Sequence, residues 1–254
     1  MKDIYQIIPG FLSKHKSAAL CIVTDTEGST PRKRGSKMLV ALDGTTAGTV
    51  GGGAIEQQVI ETAKQVIKTH KSHKKFYSLE DDLSMQCGGN VEVYIEPLVP
   101  RARLYIFGAG HVGKALSLFA HKLDFEVTLL DFRNISFSEE EQQTLRFIHG
   151  DYLQTLEQLE YDDNTYIVIM SPSHEDDFGL LSRLGKKSFA YLGMIGSKRK
   201  VARARERFLE DQTFTEEELN SFDMPMGIKI ATETPEEIAI SVLGKLIDVR
   251  NQKL

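Results

Sequence analysis

The 254-residue sequence is poor in cysteine, with only Cys21 and Cys87, and it lacks any run of about 20 apolar residues. So few cysteines argue against a secreted disulfide scaffold and against a structural zinc site built from cysteines. Without a long apolar run the sequence predicts no membrane-spanning helix. Residues 1–10 also lack the basic start and the apolar stretch of a signal peptide. We therefore expect a cytoplasmic protein.

An excess of positive charge is absent too, since 31 Lys and Arg face 36 Asp and Glu for a net charge of −5. This balance disfavours nonspecific binding to nucleic acid or to an anionic membrane. The 41% of hydrophobic and 26% of charged residues are typical of a globular protein. Since one domain commonly takes about 100 to 150 residues, the length predicts one large or two modest domains.

The pattern of predicted elements changes near residues 97–101, where two prolines end a strand-like run. Before this point we predict short strands, a hairpin turn at Asp43 and Gly44, and one helix: strands 18–24, 37–42 and 91–95, helix 54–68. After it, strand and helix patterns alternate, which is typical of a parallel sheet, and they include a strand at 103–107 and a helix at 198–210. The polar segment 211–220 is predicted to be solvated surface. The sequence thus predicts an α/β protein. Residues 1–99 form a mixed α+β domain, and residues 100–254 form a Rossmann-type doubly wound parallel-sheet domain.

A G-x-G-x-x-G motif lies between a predicted strand and a predicted helix, with glycines Gly108, Gly110 and Gly113. Gly108 permits the tight turn, Gly110 lets a pyrophosphate approach the backbone, and Gly113 lets the helix pack on the strand. Asp131 ends the next predicted strand, where a carboxylate accepts hydrogen bonds from ribose hydroxyls. His111 is either a ligand contact or an exposed residue at the helix start. The motif predicts NAD(P) or another nucleotide as ligand, or a turn kept for packing alone.

A second turn, at Gly196 and Ser197, precedes a predicted helix that carries three cations at positions 198–200. Cations near a helix N-terminus are unfavourable unless an anion lies close by, so this turn favours an anion site over a solvated basic face. His174 follows another predicted strand, at the edge where open α/β sheets bind ligands. It is a further candidate contact, although Ser173 beside it is explained by helix capping alone.

The predicted N-terminal domain carries two loops suited to an anionic ligand. The loop at residues 27–36 is rich in hydroxyls and cations, and Arg32 presents a rigid donor fork that matches phosphate. The segment that leads into the helix containing Glu56 has three consecutive glycines: Gly51, Gly52 and Gly53. Such glycines expose backbone N–H groups to a ligand or to a second chain, or they form a strained but empty turn.

The two cysteines have different surroundings in the sequence. Cys87 is followed by Gly88 and Gly89, which leave its thiol sterically open, so it is either a functional thiol or an incidental surface residue. Its reactivity depends on a lowered pKa. Cys21 lies in an apolar run and is expected to be a small buried residue.

Together and in this order, these loops resemble the XdhC/CoxI family of xanthine dehydrogenase accessory proteins. The resemblance spans nearly the whole chain and rests on several separated motifs: residues 28–32 with Gly35, 48–53 with Glu56, 87–89, 108–113, 191–200 and 234–239. It implies a protein that binds molybdenum cofactor of the molybdopterin type and protects it while a cysteine desulfurase installs the terminal sulfur. It further implies delivery to a xanthine dehydrogenase-like apoenzyme, with no turnover of its own.

The resemblance also implies a role for Cys87, which matches the family's Cys-Gly-Gly loop. Cys87 is the candidate contact with the molybdenum or with the transferred sulfur, because a thiolate is a suitable soft ligand. The remaining candidate residues named above would contact the cofactor or its nucleotide part. A homodimer is expected, since a ligand site shared between two chains would bury the glycine-rich loops.

Two other functions compete with the cofactor chaperone. An NAD(P)-dependent oxidoreductase would use the turn at residues 108–113 together with Asp131, and His174 as proton donor. A redox-sensing module would alter its association with a partner when it binds NADH. The lack of an acid–base pair at a set spacing favours the chaperone.

Overall fold

The computed structural model describes residues 4–78 and 89–252 and divides into two compact units, which meet in sequence between Pro100 and Arg101. The first unit contains α1 (Ile4–Leu12), β1 (Ala18–Glu27), β2 (Lys37–Ala41), β3 (Thr46–Gly48), α2 (Gly53–Thr69), β4 (His73–Ser78) and β5 (Asn90–Leu98). The second contains β6 (Arg103–Phe107), α3 (His111–His121), β7 (Glu126–Asp131), α4 (Glu139–Thr144), β8 (Arg146–His149), α5 (Tyr152–Leu156), β9 (Thr165–Ile169), α6 (His174–Leu184), β10 (Tyr191–Met194), α7 (Lys198–Glu210), α8 (Glu216–Ser221) and α9 (Pro235–Gln252). None of the helices in the described ranges combines the length and apolar character needed to cross a membrane.

The first unit is built on a five-stranded antiparallel sheet in the order β3-β2-β1-β5-β4. The predicted hairpin turn at Asp43 and Gly44 is present, and it joins β2 to β3. Gly44 has φ 88° there, which a residue with a side chain adopts only at a cost. The predicted turn is thus confirmed, with a glycine at the position of positive φ.

One face of this sheet is covered by α2. The buried residues of this helix recur every three or four positions, which forms one apolar stripe: Ile55, Val59, Ala63, Val66 and Ile67. The stripe packs on inward-facing strand residues that include Cys21 and Val23. Cys21 is fully buried, and this burial raises the pKa of its thiol to about 12. The expectation of a buried Cys21 is confirmed.

Cys21 should therefore resist alkylation while the protein is folded. We expect a Cys87→Ser variant, in which Cys21 is the sole cysteine, to show no reaction with a thiol reagent at about pH 8. After denaturation, one thiol per chain of the same variant should react with the reagent. A spectrophotometric thiol titration measures both values, and fast labelling of the folded variant would contradict the burial of Cys21.

The second unit is a five-stranded parallel sheet in the order β10-β9-β6-β7-β8 with helices on both faces. Strands β6 and β9 are buried along their whole length, as expected for a parallel sheet covered on both sides. Leu104 and Ile106 point to one core, which includes residues of α3 and α9. Tyr105 and Phe107 point to the other, which includes residues of α5, α6 and α7. The predicted doubly wound Rossmann-type architecture and the mixed α+β first unit are confirmed.

The start of α9 is specified by a few neighbouring residues. Thr234 accepts a hydrogen bond from the N–H of Glu237 at 3.2 Å, and the Glu237 carboxylate accepts one from the N–H of Thr234 at 3.2 Å. This reciprocal arrangement is a capping box, and it satisfies donors that a helix N-terminus otherwise leaves unpaired.

Several elements were not expected from the sequence. They are α1, β3 and β4 in the first unit, and α4, β8 and α5 in the polar segment after β7. The prediction that residues 211–220 form solvated surface is wrong in part. Phe214 and Leu219 are buried, because the Phe214 ring packs edge-on against Phe208 and Phe222.

Candidate functional site

The three glycines of the turn between β6 and α3 have different roles. A Cβ atom at Gly108 would lie 2.2 Å from the Met170 carbonyl oxygen, and one at Gly113 would lie 1.9 Å from the Gly108 carbonyl oxygen. These two glycines are thus required for packing. A Cβ at Gly110 would have no neighbouring heavy atom within 4 Å, so the space above Gly110 is open. His111, the first residue of α3, is exposed beside it.

Asp131, at the end of β7, is fully buried, and its hydrogen bonds are made within the protein. Its Oδ2 accepts a hydrogen bond from the N–H of Ala109 at 2.7 Å and one from Arg133 Nη2 at 2.7 Å. Its Oδ1 accepts hydrogen bonds from the N–H and the Nε of Arg133, both at 2.9 Å. The carboxylate is thus engaged by Arg133 and by the glycine-rich turn, where the sequence predicted a ribose contact.

The same hydrogen bonds decide the charge of Asp131. Burial alone would raise the pKa of Asp131, but the hydrogen bonds from Arg133 and Ala109 outweigh burial and lower the pKa below its usual range. Asp131 is therefore an anion at neutral pH that anchors the turn between β6 and α3. The sequence patterns did not single out Arg133, although its position two residues after Asp131 could have indicated it.

The loop after β9 and the turn after β10 are joined by a buried ion pair. Asp177 accepts hydrogen bonds from the Ser171 hydroxyl at 2.6 Å and from the Ser171 N–H at 2.9 Å, and it pairs with Lys200. Lys200 also donates to the Ile195 carbonyl at 2.9 Å. A Cβ at Gly196 would lie 2.7 Å from Lys200 Cδ, so this glycine makes room for the lysine stem.

This ion pair accounts for one of the three cations at the start of α7. The sequence predicted an anion close to the cations at 198–200, and for Lys200 that anion is Asp177 of the same protein. Lys198 and Arg199 are exposed. Ser197 caps α7 through the N–H of Lys200 at 3.3 Å, as its position in the sequence suggests.

The start of α6 lies next to this ion pair. Ser173 caps the helix by accepting a hydrogen bond from the N–H of Asp176 at 3.4 Å, and His174 is exposed. Burial, followed by the charges of Asp177 and Asp151, raises the pKa of Asp176. The edge of the parallel sheet therefore carries several carboxylates. Within residues 4–78 and 89–252, however, no group of three or more His, Cys, Asp or Glu side chains is arranged to hold a metal ion.

In the first unit, the glycine loop before α2 is organised by Glu56. The Glu56 carboxylate accepts hydrogen bonds from the Thr49 hydroxyl, from the N–H of Gly52 at 3.0 Å and from the N–H of Val50 at 3.2 Å. The N–H of Gly51 donates to the Thr49 hydroxyl oxygen at 3.3 Å. Of the three glycine amides that the sequence predicted as donors to a ligand, that of Gly52 serves the Glu56 carboxylate and that of Gly51 serves the Thr49 hydroxyl.

Glu56 should therefore stabilise the first unit at neutral pH. Burial pushes the pKa of Glu56 up, but the hydrogen bonds from Thr49 and the loop amides prevail, so the pKa is lowered from 4.5. A lowered pKa in the folded state contributes stability above the ordinary pKa, and this contribution is lost as the pH falls through the lowered value.

We expect Glu56→Ala to reduce the free energy of unfolding by roughly 1 to 3 kcal/mol at about pH 7, because it leaves three donors unpaired. The deficit relative to wild type should shrink below about pH 4. Urea denaturation at both pH values measures it. The matched control is Glu61→Ala, since Glu61 is an exposed residue of the same helix. Equal free energies of unfolding for Glu56→Ala and Glu61→Ala would contradict the stabilising role of Glu56.

The loops of the first unit meet at their tips. A Cβ at Gly51 would lie 3.1 Å from Pro31 Cγ, and one at Gly89 would lie 2.5 Å from the Ser29 carbonyl oxygen. The loop after β1 therefore lies against both the glycine loop, which ends at Gly53, and the start of β5. Arg32 is exposed in this loop. Cys87 and Gly88 lie outside the described residues.

Comparison with known proteins gives matches over both units. The model for the XdhC Rossmann domain matches residues 104–246, and the model for the XdhC and CoxI family matches residues 11–78. YqeB, an uncharacterized protein of Escherichia coli K12, is 32% identical over 239 residues. That match covers 92% of this chain but 43% of YqeB, so the chain spans less than half the length of this relative.

Two further relatives have names that mention xanthine dehydrogenase. One is a probable xanthine dehydrogenase subunit from Bacillus subtilis 168, which is 21% identical with 99% of both chains covered. The other is the crystal structure of a xanthine dehydrogenase from Bacillus halodurans, which has a TM-score of 0.54 at 20% identity. The match covers 100% of this chain and 97% of that one, and it supports the fold.

Proposed function

The chain belongs to the XdhC and CoxI family, and from this membership we propose that it is a xanthine dehydrogenase accessory factor. In this role it binds molybdenum cofactor, supports its sulfuration and delivers it to a molybdenum hydroxylase apoenzyme. The name of the Bacillus subtilis relative supports an association with xanthine dehydrogenase. A cysteine desulfurase as sulfur donor and a homodimer are parts of the same proposal.

The observation that carries the proposal is the meeting of loops in the first unit. The loop after β1 contacts both the glycine loop before α2 and Gly89, which follows the Cys87-Gly88 pair in the chain. Packing places the Gly51 backbone against the Pro31 side chain and the Gly89 backbone against the Ser29 carbonyl, and both contacts require a small residue. Gly52 in the same loop has open space above it, so a guest meets little steric obstruction there.

The cargo of this proposal is an organic pterin that carries a phosphate and sulfur ligands to molybdenum, and the loops of the first unit fit these groups in part. Arg32 and Lys33 are exposed and make no ion pair with any carboxylate of the described residues, so both fit the phosphate. The amides of Val50 and Gly52 do not fit it, because Glu56 already occupies them. Phosphate binding is therefore assigned to cationic side chains and not to the glycine loop.

In this proposal Arg32 binds the phosphate, and the Cys87 thiolate contacts the molybdenum or its terminal sulfur. The glycine loop that Glu56 organises presents a fixed backbone against which the pterin lies. The cargo supplies the metal chemistry only after its transfer to the apoenzyme.

The test is to incubate the full chain with intact molybdenum cofactor under anaerobic conditions and to follow absorbance and molybdenum content on a sizing column. We expect co-elution, and we expect Arg32→Gln to weaken binding by about tenfold through the loss of one charge-assisted hydrogen bond. Cys87→Ser should reduce molybdenum retention. Lys198→Gln, an exposed cation of the second unit, is the control. Separate elution of protein and intact cofactor would remove the proposal.

The alternative, an NAD(P)-dependent oxidoreductase, gains no support from the site geometry. Asp131 is engaged by Arg133, and His174 is exposed at the start of α6 without a hydrogen-bonded acid or base among the described residues. Nucleotide binding by the second unit is a separate question from redox turnover.

A further inference from the structure

Arg133 presents a fixed guanidinium group at the edge of the second unit. Its Nε and Nη2 donate to the two carboxylate oxygens of Asp131 at 2.9 and 2.7 Å, which holds the planar group in one orientation. Asp131 is fully buried, whereas 40% of the Arg133 side chain is exposed. The remaining N–H donors, those of Nη1 and one of Nη2, make no further hydrogen bond within the described residues. A rigid cationic donor thus stands at the protein surface.

The position of Arg133 connects it to the glycine-rich turn. The Asp131 oxygen that pairs with Arg133 Nη2 also accepts the hydrogen bond from the N–H of Ala109, at 2.7 Å in both cases. Ala109 lies next to Gly110, above which the space is open. The Asp131 carboxylate therefore joins the turn before α3 to the guanidinium of Arg133, so that both lie at the same edge of the sheet.

The Asp131 carboxylate already has hydrogen-bond donors from its own chain, and this restricts the chemistry of the ligand. A carboxylate at the end of the second strand of such a fold commonly accepts hydrogen bonds from the two hydroxyls of a ribose. Here Asp131 receives four hydrogen bonds from its own chain, so it offers little to a hydroxyl donor. The exposed group at this position is a donor and a cation, and its natural complement is an anionic acceptor.

We infer that the second unit binds a nucleotide that carries a phosphate on its ribose ring, and that Arg133 is the residue that recognises this phosphate. The backbone above Gly110 receives the 5′-linked phosphates of the same ligand. Phe132, which is 46% exposed and lies 5.9 Å from the Arg133 guanidinium, provides an apolar surface beside it for the base. An unphosphorylated ribose leaves the donors of Arg133 without a partner.

Tyr152 packs against Phe132, the proposed contact for the base. Its ring packs edge-on against Phe132 at 5.6 Å, and its hydroxyl is buried with no hydrogen-bond partner in the part of the chain that the structure describes. Burial, and then the charge of Asp131, raise the pKa of Tyr152, so the hydroxyl keeps its proton. The Tyr152 ring therefore supports Phe132, and its protonated hydroxyl lies close to the charge of Asp131.

The test compares matched nucleotides on the full chain by isothermal titration calorimetry. The probes are NADP+ against NAD+, and adenosine 2′,5′-bisphosphate and 3′,5′-bisphosphate against 5′-AMP. We expect each ribose-phosphorylated probe of the correct position to bind at least about tenfold more tightly than its unphosphorylated partner, and the two bisphosphates identify that position. Equal binding of every ribose-phosphorylated probe and its unphosphorylated partner, or no binding of any phosphorylated probe at about 1 mM, would overturn the inference.

Variants show whether Arg133 is the recognising residue. Arg133→Gln should reduce binding of the preferred phosphorylated probe to the level of its unphosphorylated partner and leave the partner unchanged, and Arg133→Lys should restore part of the preference through its charge. Arg207→Gln is the control, since Arg207 is an arginine of the same unit that pairs with Glu175 on the surface. If Arg133→Gln fails to fold because Asp131 loses its partner, the probe comparison on the wild type and the binding preference of Arg133→Lys together test the role of Arg133. An unchanged preference in Arg133→Lys and Arg133→Gln alike would overturn the assignment.

Discussion

Gly113→Ala should unfold the region around β6 and α3, whereas Gly110→Ala in the same turn should leave it folded. At Gly113 a new Cβ would lie 1.9 Å from the Gly108 carbonyl oxygen and 3.1 Å from its carbon. Both are backbone atoms, so neither side can move without displacing α3 from the sheet. Overpacking typically costs roughly 1 to 3 kcal/mol, and a clash of backbone on both sides belongs at or above the upper end of that range.

Gly110 is the matched control because its φ of −68° suits any residue and a Cβ there meets no atom within 4 Å. Its replacement by alanine should change the free energy of unfolding by less than about 0.5 kcal/mol. Hydrogen exchange followed by mass spectrometry measures protection of β6 and α3 separately from the first unit. Equal protection in the two variants would show that Gly113 is not needed for packing.

Lys200→Met should destabilise the second unit by roughly 3 to 5 kcal/mol, because it leaves the Asp177 carboxylate buried without its counterion. The Lys200 side chain is 7% exposed and that of Asp177 is 0% exposed, so water cannot replace the lost ammonium. Ser171 continues to donate two hydrogen bonds to Asp177, but neither carries a charge. Denaturant unfolding monitored by hydrogen exchange in β9 and β10 gives the size of the loss.

Two further variants separate this electrostatic cause from a general effect on α7. Lys198→Met changes an exposed lysine of the same helix and should cost less than about 0.5 kcal/mol. Adding Asp177→Asn to Lys200→Met removes the orphan charge and should recover part of the stability. If Lys200→Met and Lys198→Met have the same free energy of unfolding, the buried ion pair does not stabilise the second unit.

The sequence was most informative where periodicity and local chemistry agree. Strand β6 and helix α7 have the predicted bounds, because a short apolar run and a capped amphipathic stretch specify each one locally. The missed elements lack such signals. Helix α1 contains Pro9 and Gly10, which indicate a turn, and edge strand β4 is mostly exposed and carries two lysines. Their conformation depends on packing against distant segments.

The candidate site shows the same division. The glycine pattern predicted the turn before α3, since steric requirements act over a few neighbouring residues. Which anion neutralises which cation was not predictable in this way. Lys200 pairs with Asp177 of the preceding helix, and the acceptor of the glycine-loop amides is Glu56 rather than a ligand. Such pairings follow from side-chain geometry in the folded state, and single-sequence patterns do not encode it.

The carboxylate of Glu56 has one more consequence for the glycine loop that it organises. Because the protein supplies its own acceptor to these amides, the loop keeps the same backbone path before and after any guest arrives. Structures of empty and loaded protein should superpose along residues 49–53, and selectivity among guests must then come from the side chains that surround this stretch.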